Sequence, residues 1–215
     1  GGLFAQAKAD NSVAIGGGLS FVDAATANTA DSIAIGASDA TGIAAIAIGK
    51  GAATTADTSL AMGLNASSLA VANVAIGGES DAEGGAYATA VGYSSSAFGS
   101  QATALGSYSE STGNSAVAVG YTAAALDEGN TALGGDSQAV SGVYATAVGF
   151  SSRANAERAT ALGVAADGSA LYAVAVGHFS SAISEGSVAI GSLADANTGQ
   201  YASALGYAAN ADGLR

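Results

Sequence analysis

Hydrophobic and polar positions alternate along this chain in short, repeated bursts. The pentad Ala88–Gly92 (ATAVG) returns unchanged at Ala145–Gly149, and SVAIG, SIAIG, SLAMG, NVAIG, AVAVG, ATALG and ASALG are variants of the same form, small–X–Ala–aliphatic–Gly. A period of two is the pattern of a strand whose faces differ. The closing Gly falls at 16, 36, 49, 63, 77, 92, 106, 120, 134, 149, 163, 177, 191 and 206, so from Gly49 onward the steps are 14 or 15 residues. Three steps of 14 and one of 15 make a longer period of 57, under which Gly77-Gly78-Glu79-Ser80 returns as Gly134-Gly135-Asp136-Ser137. Helical repeats need about 30 or more residues per unit and tolerate Gly poorly. A 14-residue unit predicts one coil of a β-solenoid, with two strands of about five residues and two tight turns. The motif Gly is expected to permit the turn that follows each pentad.

The faces of these strands are unequal. The residue two before the motif Gly is Ala in every copy, and the pentad opens on Ala, Ser or Asn. The two remaining positions carry Val13, Ile15, Ile33, Ile35, Ile46, Ile48, Leu60, Met62, Val74, Ile76, Val91, Leu105, Val117, Val119, Leu133, Val148, Leu162, Val174, Val176, Val188, Ile190 and Leu205. In the second strand the third and fifth residues after the Gly are mostly Ser or Ala (Ser95/Ala97, Ala123/Ala125, Ser152/Ala154), and the residue between them is often polar, as at Glu110, Gln138, Arg153, Asp167 and Asp195. Small faces meeting small faces give a thin coil, so the aliphatic row points outward. Twenty-two such side chains, at about 1.5 kcal/mol or more each, are too much apolar surface to leave wet. Three parallel copies around one axis would bury the row in register, so a homotrimer is expected, with these residues as its core. Fourteen coils at about 4.8 Å each predict a single rod-shaped domain about 65–70 Å long.

Composition and charge narrow the classes. The chain has 215 residues with 32 Gly, no Pro, no Cys and no Trp, and 49% hydrophobic against 10% charged residues. That aliphatic content argues against disorder and against collagen. A formal net charge of −12 argues against nucleic acid and anionic membranes, both of which are bound through clustered Lys and Arg. No apolar run reaches the length of a spanning helix, and Gly1-Gly2-Leu3-Phe4 does not read as a secretory signal, so an exported protein would contain this chain as one segment. His178 is the only His. With no Cys and no recurring carboxylate pair, neither a metal site nor a nucleophile–base pair assembles, so no enzyme activity and no cofactor are expected.

The registered copies of Asn11-Ser12-Val13-Ala14-Ile15-Gly16 and Ser187-Val188-Ala189-Ile190-Gly191 resemble the YadA-like head domains of trimeric autotransporter adhesins, over essentially the whole chain. The resemblance implies a left-handed parallel β-roll that trimerises on a Gram-negative cell surface and attaches to extracellular matrix proteins, host cells or abiotic surfaces. It further implies anchoring to the outer membrane through C-terminal parts beyond this chain. The family's NSVAIG-x-x-S form departs here, since Leu19 stands where the Ser belongs; collagen as the ligand does not follow. Alternatives are a purely structural spacer, an ice- or crystal-binding solenoid using the broken row Thr89, Thr103, Thr131, Thr146 and Thr160, and a hexapeptide-type acyltransferase, whose coils step by multiples of six.

One row is a candidate ligand surface. Tyr93, Tyr121, Phe150, His178 and Tyr207 each follow a motif Gly, on alternate coils. They suit stacking on sugars or a protein ligand, although rings supporting stacked turns or a neighbouring subunit is the preferred reading. Recognition is otherwise expected at an insertion around Leu19–Asn28, at the 15-residue turns near Gly84–Tyr87, Gly142–Tyr144 and Gly199–Tyr201, and on the polar outer strand.

Overall fold

A computed structural model describes residues 4–16 and 24–211. The chain is an all-β parallel solenoid whose residues fall into two compact units, Gly1–Tyr108 and Ser109–Arg215. In the first unit the motif strands run from Val13–Ile15 to Thr103–Leu105, and in the second from Val117–Val119 to Ser203–Leu205. Within each unit successive motif strands pair in parallel, with the central Ala of one coil always opposite the central Ala of the next, as in Ala75↔Ala90 and Ala147↔Ala161. The second strand of each coil builds its own parallel ladder, for example Asp81↔Ser96 in the first unit and Ala124↔Gln138 in the second.

The strands are shorter than the expected five residues. Motif strands have three residues and second strands two, and beyond Gln138–Ala139 the second ladder is reduced to single bridges, Arg153↔Asp167↔Ser181↔Asp195↔Asn210. The cause lies in the corners. Each turn places one residue in the left-handed region, as at Ser94 (φ 49°) and Gln101 (φ 60°) on either side of one second strand, and these corners take residues that a longer strand would use. Of the expected insertion, residues 19–23 lie outside the described residues. Thr26–Ala27 is already an ordinary second strand, paired with both Gln6–Ala7 and Asp39–Ala40.

Among the described residues the interior contains no side chain larger than Asn. Among the described residues every buried hydrophobic one is Ala, and the buried polar ones are Ser, Thr and Asn. Burying a hydroxyl requires a partner, and the fold supplies one locally. The Ser three residues after the motif Gly donates its Oγ–H to that glycine's carbonyl: Ser95 to Gly92 at 3.1 Å, Ser137 to Gly134 at 2.8 Å, Ser180 to Gly177 at 3.0 Å. Asn73 and Asn130, 57 residues apart, span the lumen completely buried. Asn73 Nδ2 donates to the Ala82 carbonyl at 2.7 Å and its Oδ1 accepts from the Ala88 amide at 2.8 Å; Asn130 does the same with Ala139 and Ala145. In a 14-residue coil the amide at this place closes the turn, as Ala102 does on the Gly99 carbonyl at 3.1 Å. At these two 15-residue turns the Asn carboxamide takes over that role.

The motif glycines are required for two reasons. Gly134 has φ +133°, where L-residues are strained, and a Cβ there would stand 2.5 Å from the Gly149 carbonyl oxygen one coil on. Comparable crowding recurs from Gly49 onward within each unit, eases at Gly16 and Gly36 to 3.1 and 3.4 Å, and is absent at Gly206, which has nothing within 4 Å of the same position. The expectation that this Gly only permits a turn is therefore incomplete: it also lets backbones stack at strand spacing.

Candidate functional surfaces

A coil with an alanine lumen displays everything else, and its outside divides into an aliphatic face, two corners and a polar second-strand face. The aliphatic face holds all of the outward row predicted above. None of those side chains is buried: Val13, Ile15, Met62, Leu105, Leu162, Ile190 and Leu205 are exposed and the others half-buried, while the alanines between them are almost all fully enclosed. Burial decides this orientation. The Thr row shares the face with Val117 and Val174 in the same column, so it is not a continuous hydroxyl array.

The corner that follows the motif strand carries the aromatic row. Tyr93, Tyr121, Phe150, His178 and Tyr207 are all exposed, Tyr207 at 78%. Two of the rings lie against a glycine of the preceding coil, with a carbon of Tyr93 3.4 Å from where a Cβ on Gly78 would be, and of Phe150 at the same distance over Gly135. The next residue adds rings that the sequence reading passed over. Tyr108 meets Tyr93 edge-on at 5.5 Å, and Phe179 meets His178 edge-on at 4.2 Å. Their signal was positional, two residues after the motif Gly. Glu79, hydrogen-bonded to the Tyr93 hydroxyl, holds that phenol above its ordinary pKa.

The opposite corner precedes each pentad. Tyr144 and Tyr201, the leading residues of 15-residue units, lie directly on glycines of the coil before: a Cβ on Gly129 would be 2.6 Å from Tyr144 Cδ1, and one on Gly186 2.5 Å from Tyr201 Cδ1. The Tyr144 hydroxyl donates to Glu128 Oε1 at 3.1 Å, which raises its pKa above the ordinary phenol value. Tyr172 occupies the same corner in a 14-residue unit. Arg158 reaches it, Nη1 donating to the Tyr172 hydroxyl at 3.3 Å with the guanidinium carbon 5.8 Å from the ring centroid. Arg158 also pairs with Glu157 at 3.2 Å.

The second-strand face is polar. Asp81 and Glu83 stand two residues apart on it, and Ser67 of the preceding coil donates its Oγ–H to Glu83. Burial first, then hydrogen bonding to and repulsion from Glu83, lift the Asp81 carboxyl to about 6. Among the described residues no three His, Cys, Asp or Glu side chains converge as a metal set, and no helix is long and apolar enough to cross a membrane.

Comparison with known proteins places these observations. The family model described as the YadA head domain repeat matches residues 2–18, 40–66, 84–109, 111–137, 141–166, 169–194 and 198–215. The crystal structure of the collagen-binding domain of the Yersinia adhesin YadA is 26% identical over 75% of this chain, with a TM-score of 0.22. The match spans 65% of that solved chain. A search of curated proteins gives no match.

Proposed function

We propose a function for this chain from one premise: it belongs to the YadA head domain repeat family. It is a segment of an adhesin head, displayed on the surface of a Gram-negative cell and held to the outer membrane by parts of the protein beyond this chain. Its task is attachment to extracellular matrix, to host cells or to abiotic surfaces. The working form is a parallel homotrimer in which the aliphatic faces of three copies close on one another.

The observation that carries this reading is the aliphatic face. Among the described residues the lumen is filled by alanine with Ser, Thr and Asn and takes none of the large aliphatic residues, which stay on the outside of the coil. At about 25 cal/mol per Å² of apolar area, covering even part of that face is worth far more than association costs. Three-fold packing of identical parallel coils covers it with like against like, and leaves both corners and the polar face free for partners.

Sedimentation equilibrium at micromolar concentration tests the assembly, with a trimer expected and a well-folded monomer overturning it. Attachment is tested by binding the purified trimer to immobilised matrix proteins, collagen included, to glycan arrays and to bare plastic. Retention on at least one support is expected. Failure on all of them, by a trimer that is folded, would leave the spacer role instead.

A further inference from the structure

The corner that precedes the pentads of the second unit carries an order that the attachment reading does not use. Coil by coil it presents Glu128, Tyr144, Glu157, Tyr172, Glu185 and Tyr201, so that acid and phenol alternate. These form three acid–tyrosine pairs, each on neighbouring coils; the Glu128 carboxylate accepts from the Tyr144 hydroxyl and the Glu185 carboxylate from Gln200 Nε2 at 3.0 Å, neutral donors that leave each acid its charge. The middle pair is already occupied by a cation from the chain itself, since Arg158 bonds the Glu157 carboxylate, donates to the Tyr172 hydroxyl and lies over its ring. At the outer pairs the residue in Arg158's place is Gly129 or Gly186, and each tyrosine lies on that glycine with its outer side exposed, Tyr144 at 51% and Tyr201 at 57%.

We propose that the Glu128–Tyr144 and Glu185–Tyr201 pairs are docking sites for basic side chains, arginine foremost, of an extended polypeptide partner lying along this corner. The seated Arg158 shows the mode: a carboxylate supplies charge and the phenol supplies a ring face and a hydroxyl, which suits a planar guanidinium better than an ammonium. A net charge of −12 attracts such a partner from a distance. Spacing sets its pattern. The two pairs are 57 residues apart (185 − 128 and 201 − 144), which is four coils or about 19 Å, the reach of about six residues of extended chain. Two basic residues six apart also project from the same side of a strand.

The site is distinct from the aliphatic face and from the aromatic row at the other corner, so its failure leaves the trimer and attachment readings standing. The test is fluorescence anisotropy at low salt, with a labelled Gly/Ser peptide bearing arginines at positions 1, 7 and 13, titrated with the purified whole chain. Tyr144→Ser with Tyr201→Ser leaves the net charge unchanged and installs the residue that Ser115 already provides at this corner; it is expected to weaken binding about fivefold or more. Glu128→Gln with Glu185→Gln should weaken it further, whereas Glu110→Gln with Asp195→Asn, removing as many charges from the polar face, should cost less than about twofold. Arg158→Ala frees the middle pair, so for a second peptide with a single arginine the seats rise from two to three; it should tighten that peptide's binding more than Arg153→Ala, which removes an equal charge from the polar face. Equal effects of the paired charge variants, no effect of the tyrosine variant, or equal effects of the two arginine variants would each overturn the proposal; the arginine comparison serves even if a loss variant fails to fold.

Discussion

Replacing one motif glycine with alanine tests whether these glycines are needed for their backbone angle alone or also for coil stacking. At Gly134 both demands act. An alanine there adopts φ near +133°, at about 1–3 kcal/mol. Its Cβ then meets the Gly149 carbonyl oxygen at 2.5 Å, where ordinary contact begins at 3.4 Å, so that oxygen must retreat by 0.9 Å (3.4 − 2.5). It is not free to do so. Ser152 holds it through Oγ at 3.0 Å and through its amide at 3.3 Å, and the Gly149 amide is tied to the Leu133 carbonyl at 2.8 Å. Forced overpacking of this kind adds about 1–3 kcal/mol. Gly206 separates the two terms, because its φ is +123° and nothing lies within 4 Å of the added atom. Gly206→Ala should therefore cost about 1–3 kcal/mol and Gly134→Ala about 2–6 kcal/mol. In a chain of this size the difference lowers the thermal midpoint by about 2–12 °C more for Gly134→Ala. Circular dichroism melts measure it, and hydrogen exchange at the Gly149 amide should quicken in Gly134→Ala. Equal midpoints for the two variants would refute the stacking argument.

Three further outcomes follow from other parts of the coil. Asn130→Ala orphans the Ala145 amide inside the lumen, while the Ala139 carbonyl keeps the Leu126 amide at 3.1 Å, so a loss of about 1–3 kcal/mol in chemical denaturation is expected, together with faster exchange at Ala145; an unchanged midpoint would show that the 15-residue turn closes without it. Asp81 has a folded pKa of about 6 against 3.8 unfolded, so folding favours its protonated form: its stabilising contribution is complete below about pH 3.8 and is lost as pH rises through 6. Asp81→Asn should consequently melt higher than the parent at pH 7.5, with the gap about halved near pH 5 and closed below about pH 3.8, and a gap independent of pH would contradict this assignment. Val148→Asp places an unpaired carboxylate on each aliphatic face, at several kcal/mol per buried charge, and should convert trimer to monomer or aggregate by sedimentation, while Ala124→Asp, in a column that already carries Asp167 and Asp195, should leave assembly unchanged.

Much of this fold is legible in the sequence, and the reason is the repeat. A residue such as Ala147 is constrained by the coil on either side, so the constraint is written out at Ala132 and Ala161 as well. The outward direction of Val148 and Ile190 follows from the lumen being too thin for anything beyond Ala, Ser, Thr or Asn. Strand length was not legible, because composition does not distinguish a corner residue in the left-handed region from a strand residue; Ser94 and Ser96 look alike in sequence and differ in role. The exchange of a turn hydrogen bond for an Asn side chain was also hidden. Asn73 and Asn130 read as small polar pentad openers, and the 15-residue length does not reveal the exchange, because the third such turn keeps the backbone bond from the Ala202 amide to the Gly199 carbonyl at 3.2 Å.

The same constraint explains where recognition has room to diverge. Lumen and glycine column tolerate almost no variety, since a change in one coil collides with the next. The positions free to vary are those whose side chains leave the stack: the residue after the motif Gly, the residues leading each pentad and the middle of the second strand. They hold nearly all the aromatic and charged residues, from Tyr121 and Phe150 at one corner to Glu128 and Arg158 at the other and Asp167 between them. Order persists even there, because Gly129 and Gly186 differ from Arg158 at one corner position and thereby decide whether a tyrosine lies against backbone or beneath a guanidinium. On the proposed docking mode, partner specificity is set by which small residues let a ring settle and which long ones occupy its place, so exchanging Gly129 and Arg158 should move the cation-accepting pair along the corner while the aliphatic face stays as it is.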